Sequence, residues 1–263
     1  VNDDALAALS GLLIGAIVGM TGVGGGALMT PVLVLVLGVA PPVAIGTDLL
    51  FASATKLVGV CVHHPHGTID WKVVRRLALG SLPAATLTLL WLDWTGAART
   101  TNGIIIDAVA LAMLITALGI VFRQRLHAVA WRVRTGSPQF FRAMQPAATI
   151  LAGAALGILV TLTSIGAGAI GTVVLLSLYP LRLAGAKLVG TDLAHAIPLA
   201  LVAGLGHLTF GHVDYALLAT LLAGSIPGVL IGALLSTCAP VRLVQAGVAM
   251  ALVGVATRML ASN

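Results

Sequence analysis

One ordered set of motifs occurs twice in this chain, and that duplication limits its architecture more than any other feature. Gly46-Thr47-Asp48-Leu49 returns 144 positions later as Gly190-Thr191-Asp192-Leu193. At the same offset Gly67-Thr68-Ile69-Asp70-Trp71 meets Gly211-His212-Val213-Asp214-Tyr215, and Gly80-Ser81-Leu82-Pro83 meets Gly224-Ser225-Ile226-Pro227. Upstream, Thr21-Gly22-Val23-Gly24-Gly25-Gly26-Ala27 meets Thr163-Ser164-Ile165-Gly166-Ala167-Gly168-Ala169 at an offset of 142, so the second copy has a connection two residues longer. Four matched motifs in one order mark an internal repeat. The copies occupy 1–122 and 146–263, with a basic linker over 123–145.

Lipid is the solvent this repeat requires. The chain is 59% hydrophobic and 8% charged, whereas soluble domains carry about 25% charged residues. Each copy opens with an apolar run (5–20; 147–162), meets a Gly-rich break, and continues in a short apolar run (28–39; 170–179). A dozen helical residues cover about 18 Å, roughly half of a ~30 Å hydrocarbon core. Each break is therefore read as the tip of a re-entrant or discontinuous helix pair, shielded by protein or lining a cavity. Three full spans follow: 42–62, 73–92 and 104–122 in copy one, 183–208, 216–235 and 241–260 in copy two. The expected fold is an all-α polytopic bundle.

Charge then orients the copies. The linker holds Arg123, Arg125, Arg132, Arg134 and Arg142 without an acid, which places it in the cytoplasm. The loop at Lys72, Arg75 and Arg76 is basic, but its counterpart at 207–215 has no Lys or Arg. Conversely, Arg182 and Lys187 precede or open a span whose counterpart has no such charge. The bias swaps sides between copies, which points to inverted-topology repeats, an architecture of many secondary transporters. The N-terminus, with Asp3 and Asp4, is then outside. No basic n-region precedes the first apolar run, so no signal peptide is expected.

Several function classes are excluded. The net charge of +6 sits mostly in short loops, which leaves no surface for nucleic acid. No G-x-x-x-x-G-K-[ST] loop and no G-x-S-x-G elbow occur, so neither ATP hydrolysis through a P-loop nor serine catalysis is expected. Cys61 and Cys238 form no spacing motif and are read as inert buried thiols. The chain is expected to be no enzyme and to need no cofactor.

The residues that could carry transport fall in three groups. The breaks, with Thr21, Gly22, Gly24, Gly25, Gly26 and Thr163, Ser164, Gly166, Gly168, allow backbone N–H groups and a helix N-terminus to face an anion. Close packing through small residues is the competing account. Asp48 and Asp192 lie about two turns into a span, after Thr47 and Thr191, where an ionisable group is costly and points to function. Protonated, each could donate to an anion; ionised, each could lock the broken helices. His195, three residues after Asp192, and Lys56, two turns after Asp48, join them as coupling candidates; their counterparts are Phe51 and Ala200. His63, His64 and His66 could bind a metal or form a solvated turn. Asp70 and Asp214, each after a Gly turn and before a span, read as helix N-caps.

The Gly-x-Gly-Gly-Gly break with Pro31, then Ala44-Ile45-Gly46-Thr47, the His-rich turn before Gly67-x-x-Asp70-Trp71, and Gly80-Ser81-Leu82-Pro83 resemble the TauE/SafE sulfite-exporter-like family, also called toluene-sulfonate uptake permeases. The resemblance spans nearly the whole chain. It implies a bacterial or archaeal inner-membrane carrier of sulfur-containing or carboxylate anions such as sulfite, sulfonates or sulfoacetate, usually an exporter. Asp48 and Asp192 depart from the Ser that follows Gly-Thr in that family, which suggests proton coupling or a different substrate charge. The leading expectation is an ion-coupled anion carrier with alternating access. A cation carrier using Asp48 and Asp192, or a metal protein using the histidines, stands beside it. Lipid, a small anion and protons are the expected partners, and a homodimer is a possible assembly.

Overall fold

The computed structural model describes residues 3–21, 26–63, 67–96, 138–166, 168–183 and 185–235, with scattered helical positions between 111 and 132 and between 250 and 257. The continuous stretches form eight helices: α1 (Asp3–Thr21), α2 (Gly26–Leu35), α3 (Pro41–His63), α4 (Trp71–Trp94), α5 (Pro138–Thr163), α6 (Ala169–Leu178), α7 (Ala186–Thr209) and α8 (Tyr215–Leu235). The described residues contain no strand. With no water to satisfy N–H and C=O groups, a helix is the one spanning structure a single segment can form. Four are long and apolar enough to cross a membrane: Trp71–Trp94, Phe141–Thr163, Ala186–Thr209 and Tyr215–Gly232. The last full spans expected in each copy, 104–122 and 241–260, and much of the linker lie largely outside the described residues. One boundary differs from the sequence reading. α5 starts at Pro138, inside the stretch assigned to the linker, because proline suits a first helical turn, where its missing N–H costs nothing.

The outward surface is what lipid demands. Leu79, Leu87, Leu90 and Trp91 of α4 are exposed, as are Leu9 and Leu13 of α1 and Leu230 and Ile231 of α8. Trp71 and Trp94, both exposed, stand at the two ends of α4, where amphipathic indoles favour the interface. The ends of α3 and α7 are shaped by Gly67 and Gly211, an equivalent pair, with φ of 63° and 78°. The left-handed conformation costs glycine little and turns the chain sharply into the next helix. As expected, that helix is then capped: Asp70 accepts from the Val73 N–H (3.3 Å) and Asp214 from the Leu217 N–H (3.0 Å).

Contacts between the copies are reciprocal. α1 packs along α8, and α4 along α5. Gly11 lies against Leu221 and Gly15 against Ser225, so α1 and α8 run parallel. The equivalent residues do the same: Gly153 lies against Leu77 and Gly157 against Ser81. Small residues let these backbones meet closely, which is how helices associate without a hydrophobic effect to drive them. α3 and α7 cross at the centre in opposite directions, with Leu50 against Gly204 and Gly46 against His207. Two long-range hydrogen bonds repeat the pattern. The Asp214 N–H donates to Thr47 Oγ1 (3.1 Å), and the Asp70 N–H donates to Thr191 Oγ1 (3.0 Å). One buried cluster, including Ile45, Leu49, Ala85, Val160, Ile165 and Leu199, fills the space between α3, α4, α5 and α7.

Candidate functional site

The crossing of α3 and α7 carries the charges. Asp48 on α3 and Asp192 on α7 are 0% and 1% exposed, and Lys56, two turns after Asp48, is 2% exposed. An isolated ion at such depth is very costly, so charges there are held by partners or neutralised. Lys56 lies within electrostatic reach of both carboxylates, Asp192 first and Asp48 second. Lys56 is therefore linked electrostatically to an acid of each copy.

The two acids are held differently. Asp48 Oδ2 accepts the hydroxyls of Thr30 (2.5 Å) and Ser164 (2.9 Å). Thr30 comes from α2 and Ser164 from the Gly-rich break of the other copy, so Asp48 ties a short helix of one copy to the break of its twin. Ser164 has φ of 58°, strained for a residue with a side chain, where copy one has Gly22. The hydroxyl on Asp48 accounts for a serine at that position. Asp192 accepts no hydrogen bond on either oxygen among the described residues, and Asp48 Oδ1 accepts none either. Oδ1 of Asp192 instead lies against Gly171, near the start of α6, so closely that a Cβ there would overlap it. The counterpart of Gly171 is Met29, whose fully buried side chain occupies the equivalent position in copy one. His195, one turn after Asp192, meets Ser81 Oγ of α4 through Nε2 (2.9 Å) and is electrostatically coupled to Lys56.

The remaining sequence candidates are placed as follows. Thr47 and Thr191 flank the acids, and their hydroxyls receive backbone N–H groups of the opposite copy; Thr191 also donates to Lys187 O (2.7 Å). Thr163 folds its hydroxyl back onto Leu159 O (2.7 Å) and receives the Ile165 N–H (3.1 Å). Gly166 (φ 120°) and Gly168 form the turn into α6, and Gly26 begins α2. Gly22, Gly24, Gly25, His64 and His66 lie outside the described residues, as do the side chains of Thr21 and His63. Among the described residues no group of three His, Cys, Asp or Glu side chains comes together.

Two features escaped the sequence reading. Arg182 clamps Asp70 with two hydrogen bonds, Nε to Oδ2 and Nη2 to Oδ1 (2.9 Å). Nearby, Arg76 donates to the Tyr179 hydroxyl (3.2 Å), which shares a hydrogen bond with Thr149 (2.8 Å). The stretch 38–46, the copy-one counterpart of the region of Arg182, has no charged residue for the equivalent Asp214. A second pair joins His207 and His212 through Nδ1 (3.1 Å), with His207 Nε2 donating to Thr161 O (2.9 Å).

Residues 7–259 match the family described as sulfite exporter TauE/SafE. The chain belongs to this family. A Bacillus subtilis (strain 168) protein described as probable membrane transporter protein YjnA is 42% identical over 233 residues, 87% of this chain and 88% of that one. The probable membrane transporter protein YdhB of the same strain is 28% identical over 235 residues, again 87% and 88%. No solved structure matches the chain. As a TauE/SafE member with four membrane-length apolar helices among the described residues, the chain is a multi-pass membrane transporter and not an enzyme.

Proposed function

We propose that this TauE/SafE member is a secondary carrier for a small sulfur-containing anion such as sulfite, a sulfonate or sulfoacetate. It works by alternating access between two inverted repeats and couples to protons. The observation that carries this reading is the buried Asp48–Lys56–Asp192 group at the crossing of two equivalent helices. The antiparallel course of α3 and α7 supports inversion, since two-fold partners that cross a membrane in opposite directions are related by an axis in its plane. α2 and α6, ten residues each, reach about 15 Å and fit half-spanning, re-entrant elements. The family description names a sulfite exporter, which supports the substrate class.

The charge balance explains the coupling. With both acids ionised, the group is net negative and repels an anion. One proton makes it neutral, and the start of α6 beside Asp192 then adds a positive dipole end. Binding a proton and binding an anion favour each other. The linker 123–145 lies in the cytoplasm and the N-terminus outside, in a bacterial or archaeal inner membrane.

Carboxylate oxygens without hydrogen-bond donors among the described residues also suit a cation, which keeps a cation carrier as the second reading. Uptake of radiolabelled sulfonate into proteoliposomes, with and without an inward proton gradient, tests both. Acceleration by the proton gradient is expected. Absence of sulfonate uptake, together with uptake of Na⁺ or another cation, overturns the anion reading.

A further inference from the structure

The two acids hold equivalent positions in the repeat but have unequal surroundings, and this inequality divides their roles. We propose that Asp192 is the carboxylate that carries the coupling proton and donates it as a hydrogen bond to the bound anion, whereas Asp48 stays ionised as the fixed counter-charge of Lys56. This rests on the proton-coupled anion carrier proposed above.

Asp48 is the acid that receives donors. Two hydroxyls, from Thr30 and from the strained Ser164, converge on one oxygen. Donors aimed at a carboxylate favour its charged form. The two donors come from different elements, so the charge also holds α2 and the second break in place. Asp192 has none of this. Both its oxygens are buried and accept from no donor among the described residues. An ionised carboxylate in that state lacks the hydrogen bonds that make burial tolerable, whereas a protonated one brings its own donor.

The surroundings of Asp192 complete the assignment. From α3 it faces Lys56, which also feels Asp48. On its own helix stands His195, occupied with Ser81 of α4. From α6 it meets Gly171, with no titratable side chain. Ser164, just after α5, is committed to Asp48. Only in copy two does a glycine leave the acid room beside a helix start; copy one has Met29 there. With Asp192 protonated, Lys56 and Asp48 cancel, and an anion meets one O–H donor and the positive end of α6. Loss of that proton leaves a net negative charge beside the anion and expels both together.

The test uses the full chain in detergent and a probe that stays ionised throughout, methanesulfonate, with binding read from thermal stabilisation between about pH 5.5 and pH 8. With one linked proton, apparent affinity falls by about tenfold per pH unit once the carboxylate ionises. Asp192→Asn, which keeps a donor and cannot ionise, should bind the probe with less than about twofold change over that range. Asp192→Ser serves the same purpose if Asp192→Asn does not fold. Ser164→Ala and Asp48→Asn should weaken binding or stability but keep the pH dependence wherever the protein folds. Persistent pH dependence in the Asp192 variants, or its loss in Ser164→Ala, overturns the assignment. If the wild type shows no methanesulfonate or sulfoacetate response at any pH, the carrier reading itself fails, and this assignment with it.

Discussion

The reciprocal threonine bonds allow a comparison in which one chemical change is made at two equivalent places. Thr→Val removes a hydroxyl and keeps the shape. Thr191→Val orphans the Asp70 N–H, which is buried, in a residue whose side chain is only 4% exposed. The N–H then bears the full desolvation penalty of about 1–3 kcal/mol. Thr191 also donates to Lys187 O, but that carbonyl keeps its helical bond and adds little. Thr47→Val orphans the Asp214 N–H, which is only partly buried and belongs to an exposed residue. Water replaces the lost acceptor there, and the cost falls to about 0–1 kcal/mol. Unfolding of the purified protein in detergent, by heat or by added SDS, measures the difference. Thr191→Val should be the more destabilising by about 1–2 kcal/mol, and the double variant should equal the sum, because the two bonds share no residue. Equal losses, or a larger loss in Thr47→Val, would refute the idea that burial of the N–H sets the cost.

Three further outcomes follow from the same geometry. Gly80→Ala and Gly224→Ala should destabilise by similar amounts, about 1–3 kcal/mol each, because a Cβ would overlap Ile150 O in one case and Ala8 O in the other; matched unfolding curves check this. Gly171→Ala should remove methanesulfonate binding while sparing the unfolding midpoint, since the new methyl group displaces the Asp192 carboxylate from the start of α6; a thermal-shift titration reads both. Arg182→Gln should cost on the order of 1 kcal/mol, with the Arg182 side chain 44% exposed and screened by solvent, and the loss should shrink in high salt.

Much of the fold was legible because lipid enforces local rules. The run 42–62 became Pro41–His63, 73–92 became Trp71–Trp94, and 216–235 became Tyr215–Leu235. Hydropathy, a Gly turn and an Asp cap are all local features, so the sequence displays them directly. The site was legible in part. An acid in a span announces itself by its cost, and the structure brings Asp48, Asp192, Lys56 and His195 to one crossing. What the sequence could not display is which partner each residue takes from the other copy. Ser164 on Asp48, Arg182 on Asp70 and Thr191 on the Asp70 N–H each join residues more than a hundred positions apart. One signal was available for the threonines. Gly-Thr-Asp and the Gly-x-x-Asp turn recur at a single offset, so a two-fold arrangement that pairs the first with the second of the opposite copy must do so twice.

A repeat with perfect two-fold symmetry would give its two ends equal energy and its centre no preferred substrate charge. The departures from symmetry are therefore where the proposed function would be written on the scaffold. Lys56 faces Ala200, His195 replaces Phe51, Gly171 replaces Met29, and Arg182 falls opposite the uncharged stretch 38–46. The first two lie on the crossing helices α3 and α7, the third lies beside Asp192, and the fourth is tied to Asp70. The helix interfaces remain symmetric, with Gly11 and Gly153, Gly15 and Gly157, and Gly80 and Gly224 in matched contacts. In an alternating-access carrier these two layers have separate tasks. Symmetric interfaces make the inward and outward packings close in energy, so that ligand-sized free energies can shift between them. In the carrier proposed above, the asymmetric residues would select the ligand that does the shifting.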